Sequence, residues 1–140
     1  MIWYNALFSF KGRLNRQGFW VGFLINFIFL FVCVNFLLNL TAYNALSLIP
    51  MAIITYSLSA IIVKRLHDRN RSGKAIFILL VPILCYATSL ISEGSMQWIL
   101  GLVIPLFVCT LLFLEWGLFQ SYPEPNQYGE KGLSILFKAD

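Results

Sequence analysis

Long apolar runs separated by short polar connections dominate the chain. Four such runs stand out, at 19–40, 45–63, 75–91 and 97–119. A helix of roughly 20 residues crosses a hydrocarbon core of about 30 Å, so three runs are long enough to span a bilayer and the third only just. The pattern predicts an all-α membrane protein with four transmembrane helices in one domain, residues 1–140. Short connections make consecutive helices antiparallel neighbours, which favours an up-down-up-down bundle. The first run is too long for the apolar region of a secretory signal, and no small-residue cleavage site ends it.

Local signals refine this outline. Pro50 falls in the first turn of the second run, where its missing N–H costs little. Pro82 and Pro105 lie inside the third and fourth runs, where they predict kinks and room for a cavity between the kinked pair. Ahead of the first run, Trp3, Leu7 and Phe10 recur at three- and four-residue spacing. That suits a short helix lying in the membrane interface, with an extended aromatic anchor as the alternative. After the last run, "QSYPEPNQYGEKG" holds two prolines and two glycines and predicts turns.

Composition agrees with a membrane protein: 59% of residues are hydrophobic and 11% charged, where a soluble domain has about a quarter charged. Mean hydropathy is +0.79. Cys33, Cys85 and Cys109 all fall inside apolar runs without metal-ligand spacing and are expected to be packing residues. No metal and no cofactor are expected. The net charge of +4 comes from ten Lys and Arg confined to three segments beside apolar runs. They are Lys11, Arg13 and Arg16; then Lys64, Arg65, Arg69, Arg71 and Lys74; then Lys131 and Lys138. This distribution points to anionic lipid headgroups and not to nucleic acid as the partner. The connections "TAYN" and "SEGSMQ" carry no basic residue. The positive-inside rule therefore places residues 1–18, 64–74 and 120–140 in the cytoplasm.

The stretch "KRLHDRNRSGK", residues 64–74, contains five of the ten basic residues and the single His. If the second helix runs on past Val63, Lys64 and Asp68 share one face, as do Arg65 and Arg69. Ser72 can then cap the third helix, with Gly73 relaxing the turn. His67 beside Asp68 resembles half of an acid–base pair, but sequence neighbours on a helix project about 100° apart. A single His with no visible nucleophile argues against catalysis. A loop that only orients the protein accounts for the basic residues; a specific anionic site on Arg65, Arg69 and Arg71 is the sharper reading.

Glu115 is the one acid inside a run, about 6 Å from its end by helix rise. An acid at this depth is either a proton site or half of an ion pair, with Arg13, Arg16 or Arg65 as the expected partner. Asn26, Asn35 and Asn39, with Thr55 and Ser59, can form a polar seam between the first two helices. Gly18 and Gly22 form a small-xxx-small pair that permits close helix approach or self-association.

Three blocks carry a family resemblance. "FSFKGRLNRQGFW", "KRLHDRNRSGK" and "NQYG" together resemble the domain of unknown function 805 family of small bacterial inner-membrane proteins. The matching residues are Phe10, Gly12, Arg13, Arg16, Phe19 and Trp20; Arg65, Leu66, His67, Asp68, Ser72 and Gly73; and Asn126, Tyr128 and Gly129. The chain departs from the pattern at Lys64, where Arg is usual, at Lys74, where Trp is common, and at Glu130-Lys131, where an acid and Pro usually follow. The resemblance implies a multi-pass protein of the bacterial inner membrane and no particular activity.

All three blocks fall on the side assigned to the cytoplasm, so Arg13, Arg16, Arg65, His67, Asp68 and Asn126 could converge there with Glu115 close below. One expected function is a non-enzymatic module that binds an anionic lipid or a membrane protein partner through this cluster. A small oligomeric transporter or channel subunit using Glu115 and the polar seam is the alternative. A membrane-embedded enzyme using His67 and Asp68 is the third.

Overall fold

The structure, a computed structural model, describes residues 1–38 and 48–137. Asn39, Lys138 and the "TAYN" connection lie outside the described residues. Within them the chain is helical, and its extended pairing consists of three isolated bridges.

Helix α1, Trp3–Phe8, is short and turns Ala6 and Leu7 inward while Trp3, Tyr4 and Phe8 stay exposed. Helix α2, Arg16–Leu38, begins where the Asn15 side chain accepts from Gly18 N at 2.7 Å. A short amide oxygen is well suited to capping the free N–H groups of a first turn. Helix α3, Leu48–Asp68, contains Pro50 in its first turn and carries the apolar run on through Lys64 to Asp68. It ends in a Schellman turn: Arg71 N reaches Leu66 O at 2.9 Å and Asn70 N reaches His67 O at 3.1 Å. Asn70 adopts the left-handed φ of 56° that such a turn requires.

The third apolar run departs from a plain α-helix. It opens as a 3-10 helix, Gly73–Leu79, capped by the Ser72 hydroxyl, and becomes helix α4 at Leu80–Ser89. Pro82 thus lands in the first turn of α4, where it displaces little. A 3-10 segment rises about 2.0 Å per residue against 1.5 Å for α, so the pair reaches ~29 Å. The last run begins as α5, Gly94–Trp98, passes through a π turn at Ile99–Val103 and continues as α6, Ile104–Leu118. Proline at 105 has no N–H for the carbonyl four residues back. The π turn absorbs that mismatch, with Ile104 N bonding Ile99 O. Three helices are long and apolar enough to cross a membrane: Arg16–Phe36, Leu48–Asp68 and Gly94–Leu118. Gly73–Ser89 is a shorter apolar helix.

Helix α2 packs on α3, α4 on α6, and α6 closes back onto α2. The core lies at one end, made of Ala6, Leu7, Leu14, Phe19, Ile61, Leu66, Leu112, Trp116 and Ile135. These positions come from the start of α2, the end of α3, the end of α6 and both terminal segments. We call this the basic end. Gly18 and Gly22 serve packing inside the chain: a Cβ on Gly22 would come within 2.8 Å of Ile61, and one on Gly18 within 3.0 Å of Leu133 O.

Candidate functional site

At the basic end the C-terminal tail does more than turn. Leu14 pairs with Leu133 and Ile2 with Leu136 as parallel bridges. Asn15 N donates to Leu133 O at 3.1 Å, Leu133 N to Arg13 O at 3.1 Å and Leu136 N to Met1 O at 2.8 Å. The tail therefore runs alongside the N-terminal segment, which itself bonds the end of α3 through Leu14 N and Lys64 O at 3.2 Å, and together they seal a polar knot.

Asp68 is the centre of that knot and is fully buried. Its carboxylate accepts from Arg13 Nε at 3.3 Å and from Arg65 Nη1. Both guanidiniums are buried as well, and each of their nitrogens has a partner inside the protein. Arg13 Nη2 donates to Tyr122 O at 2.5 Å, while Nη1 faces the carbonyls of Glu124, Gly129 and Glu130 at 2.9, 3.1 and 3.2 Å. Arg65 Nε donates to Trp116 O at 2.6 Å and its Nη2 to Phe119 O. Buried charges persist only when paired and hydrogen-bonded, and this knot meets that condition through backbone carbonyls of the tail. Gly132 passes so close to the Asp68 carboxylate that a Cβ there would collide with it.

A second feature follows from the end of α6. The last four carbonyls of a helix lack intrahelical donors. Here a side chain meets each one: Arg69 Nη1 to Glu115 O at 3.5 Å, Arg65 to Trp116 O, Trp20 Nε1 to Gly117 O at 3.1 Å and Arg16 Nη1 to Leu118 O at 3.2 Å. Three of the four donors are cations, which also complement the negative end of the helix dipole. Lys64 plays a similar part for α1, donating to Asn5 O at 2.7 Å and to Ala6 O.

His67 and Asp68 face different partners. His67 Nδ1 lies 3.3 Å from Gly12 O, and its ring stacks on Tyr128 at 3.7 Å between centroids. Gly12 can present that carbonyl because it holds a φ of 95°, which L side chains rarely adopt. Asn126 Nδ2 donates to His67 O at 2.9 Å, and its Oδ1 accepts from Tyr128 N at 2.9 Å. Asn126 therefore clips the tail onto the end of α3.

The structure thus brings Arg13, Arg16, Arg65, His67, Asp68 and Asn126 to one end, divided into an inner and an outer set. Arg13, Arg65 and Asp68 are buried and spent on internal bonds. Arg16 and Arg71 are exposed, and Arg69 is half-buried with its guanidinium 4.9 Å above the Phe119 ring. Glu115 pairs with Arg71 at 2.8 Å, and not with Arg13, Arg16 or Arg65 as expected. The reason is local: Arg13 and Arg65 turn to Asp68, Arg16 turns to Leu118 O, and the Schellman turn leads Arg71 back toward α6. Of the described residues expected to form a polar seam, Asn26 donates to Gly22 O, Asn35 to Phe31 O, Thr55 to Met51 O and Ser59 to Thr55 O, each a carbonyl four residues back in its own helix. Sequence reasoning missed the tail carbonyls, Lys64 and Gly132. A backbone acceptor leaves no residue-type signal.

No solved structure matches the chain. It is 32% identical over 139 residues to "Uncharacterized protein YiiR" of Escherichia coli strain K12, covering 96% of this chain and 92% of that protein. The protein of the same name from Escherichia coli O157:H7 matches with the same identity and coverage. The family model described as "Protein of unknown function (DUF805)" matches residues 7–130, which include all three motif blocks, and the chain belongs to that family.

Proposed function

We propose that this chain is a non-enzymatic module of the bacterial inner membrane, with four spans and both termini cytoplasmic, that holds anionic lipid headgroups on an exposed basic rim. The observation that carries this reading is the division of the cations. Arg13 and Arg65 are locked onto Asp68 and the tail, so they shape the end of the bundle and leave ligand contact to others. Arg16, Arg71 and Lys74 remain exposed beside apolar helices, where phosphate groups of lipid would meet them. The fourth span is the 3-10 and α4 pair, whose ~29 Å matches a hydrocarbon core of about 30 Å.

Native mass spectrometry in mixed micelles tests the rim. Retention of phosphatidylglycerol over phosphatidylethanolamine should fall when Arg16, Arg71 and Lys74 are all replaced by Ala, each basic residue near a membrane surface contributing about 1 kcal/mol. An unchanged preference would sink the headgroup reading. For the topology, a periplasm-active reporter fused at Asp140 should be silent.

A further inference from the structure

A groove of about 360 Å³ runs between the third and fourth apolar segments, lined by Ile78, Val81, Val108, Leu111, Leu112 and Glu115. Its walls follow from helix geometry. Ile78, near the end of the 3-10 segment, and Val81, in the first turn of α4, are three residues apart and stand on one face. On α6, Val108, Leu111, Leu112 and Glu115 share a face at three- and four-residue spacing. The size is within the roughly 300–1,000 Å³ typical of small-molecule sites. At its mouth stands the Arg71–Glu115 ion pair, with the Arg71 side chain 53% exposed.

We propose that this groove binds one acyl chain of a membrane phospholipid, with the lipid phosphate held by Arg71 at the mouth. Charge decides the occupant. Arg71 uses Nη1 on Glu115 and keeps further N–H donors for a phosphate oxygen, the group a guanidinium fork grips best. Lys74, exposed at the start of the same 3-10 segment, adds a second cation to that end. Glu115 acts as a positioning residue that aims Arg71 across the mouth. A larger groove of about 520 Å³, lined by Leu102, Pro105, Cys109 and Phe113 among others, has no charged side chain on its walls. It would take hydrocarbon without selecting a headgroup.

The proposal rests on the basic-rim reading for its headgroup and on the groove for its chain, and the two are separable. The full chain, purified in mild detergent from phosphatidylethanolamine and phosphatidylglycerol vesicles, is examined by native mass spectrometry for retained phospholipid. Leu111→Trp and, from the opposite wall, Ile78→Trp fill the groove at positions 50% and 46% exposed, where the fold does not depend on them. Each should lower lipid occupancy several-fold, whereas Arg71→Ala should change which headgroup is retained. If groove filling removes the lipid but wild type shows no anionic preference, the groove stands and only the charge reading fails. Unchanged occupancy in both Trp variants overturns the proposal. So does a dimer without bound lipid that Leu111→Trp dissociates, since the occupant would then be a second copy.

Discussion

The basic end and the apolar half of this molecule solve the same problem, satisfying polar groups, by opposite means. At the basic end the bonds are long in sequence: Arg13 to Asp68, Arg13 to Tyr122, Arg65 to Trp116 and Asn126 to His67. In the apolar half Asn26, Thr55, Ser59 and Thr110 each donate to a carbonyl four residues back in the same helix. The core follows the first pattern, because its buried residues gather where the chain ends and the α3 terminus meet. In lipid there is no hydrophobic drive to pull helices together, so helices must be held by packing and specific polar contacts. This protein concentrates those contacts at one end and leaves the remaining helical surface apolar.

Removing the centre of the knot should break that contrast most severely. Asp68→Ala leaves two buried guanidiniums without their counter-charge, which is expected to cost about 3–5 kcal/mol. Thermal unfolding in detergent, followed by the Trp signal, should show a large loss of stability or no folded protein. Next comes Gly132→Ala, where a Cβ would strike the Asp68 carboxylate. Overpacking of this kind costs about 1–3 kcal/mol. A wild-type unfolding midpoint for Gly132→Ala would show that the tail does not press on Asp68.

How much of this was readable beforehand depends on which physics carried it. Spans follow from hydropathy, and three of them appear at nearly the expected places because apolar side chains and a satisfied helical backbone are what lipid demands. The Ser72 cap was legible because a hydroxyl before a helix has one obvious use. The knot was legible only as a list of residues. Its closure depends on carbonyls of Tyr122, Glu124 and Gly129, and any residue type supplies a carbonyl. The partner of Glu115 was misjudged for a similar reason. Charge and depth left several arginines eligible, and the choice of Arg71 was made by a turn whose key residue is an Asn in a left-handed conformation. The 3-10 opening of the third apolar run and the π turn before Pro105 also escape periodicity, since neither has 3.6 residues per turn.

The smaller predictions sharpen the comparison. Glu115→Gln removes an ion pair whose side chains are 53% and 26% exposed. Pairs so open to solvent contribute about 0–1 kcal/mol, so stability should barely move, and a loss near that of Asp68→Ala would place Glu115 inside the knot. Smallest of all should be Thr55→Val in the middle of α3. Its hydroxyl donates to Met51 O at 2.8 Å, a carbonyl that the helix already engages. Valine keeps the branched shape and exposes no new polar group, so the unfolding free energy should stay within about 0.5 kcal/mol of wild type. A cost of 1–2 kcal/mol, the size seen for polar bonds between membrane helices, would mean that Thr55 reaches a neighbouring helix in the bilayer. The apolar half would then have long-range polar specificity of its own, and the division between the two ends would be one of degree.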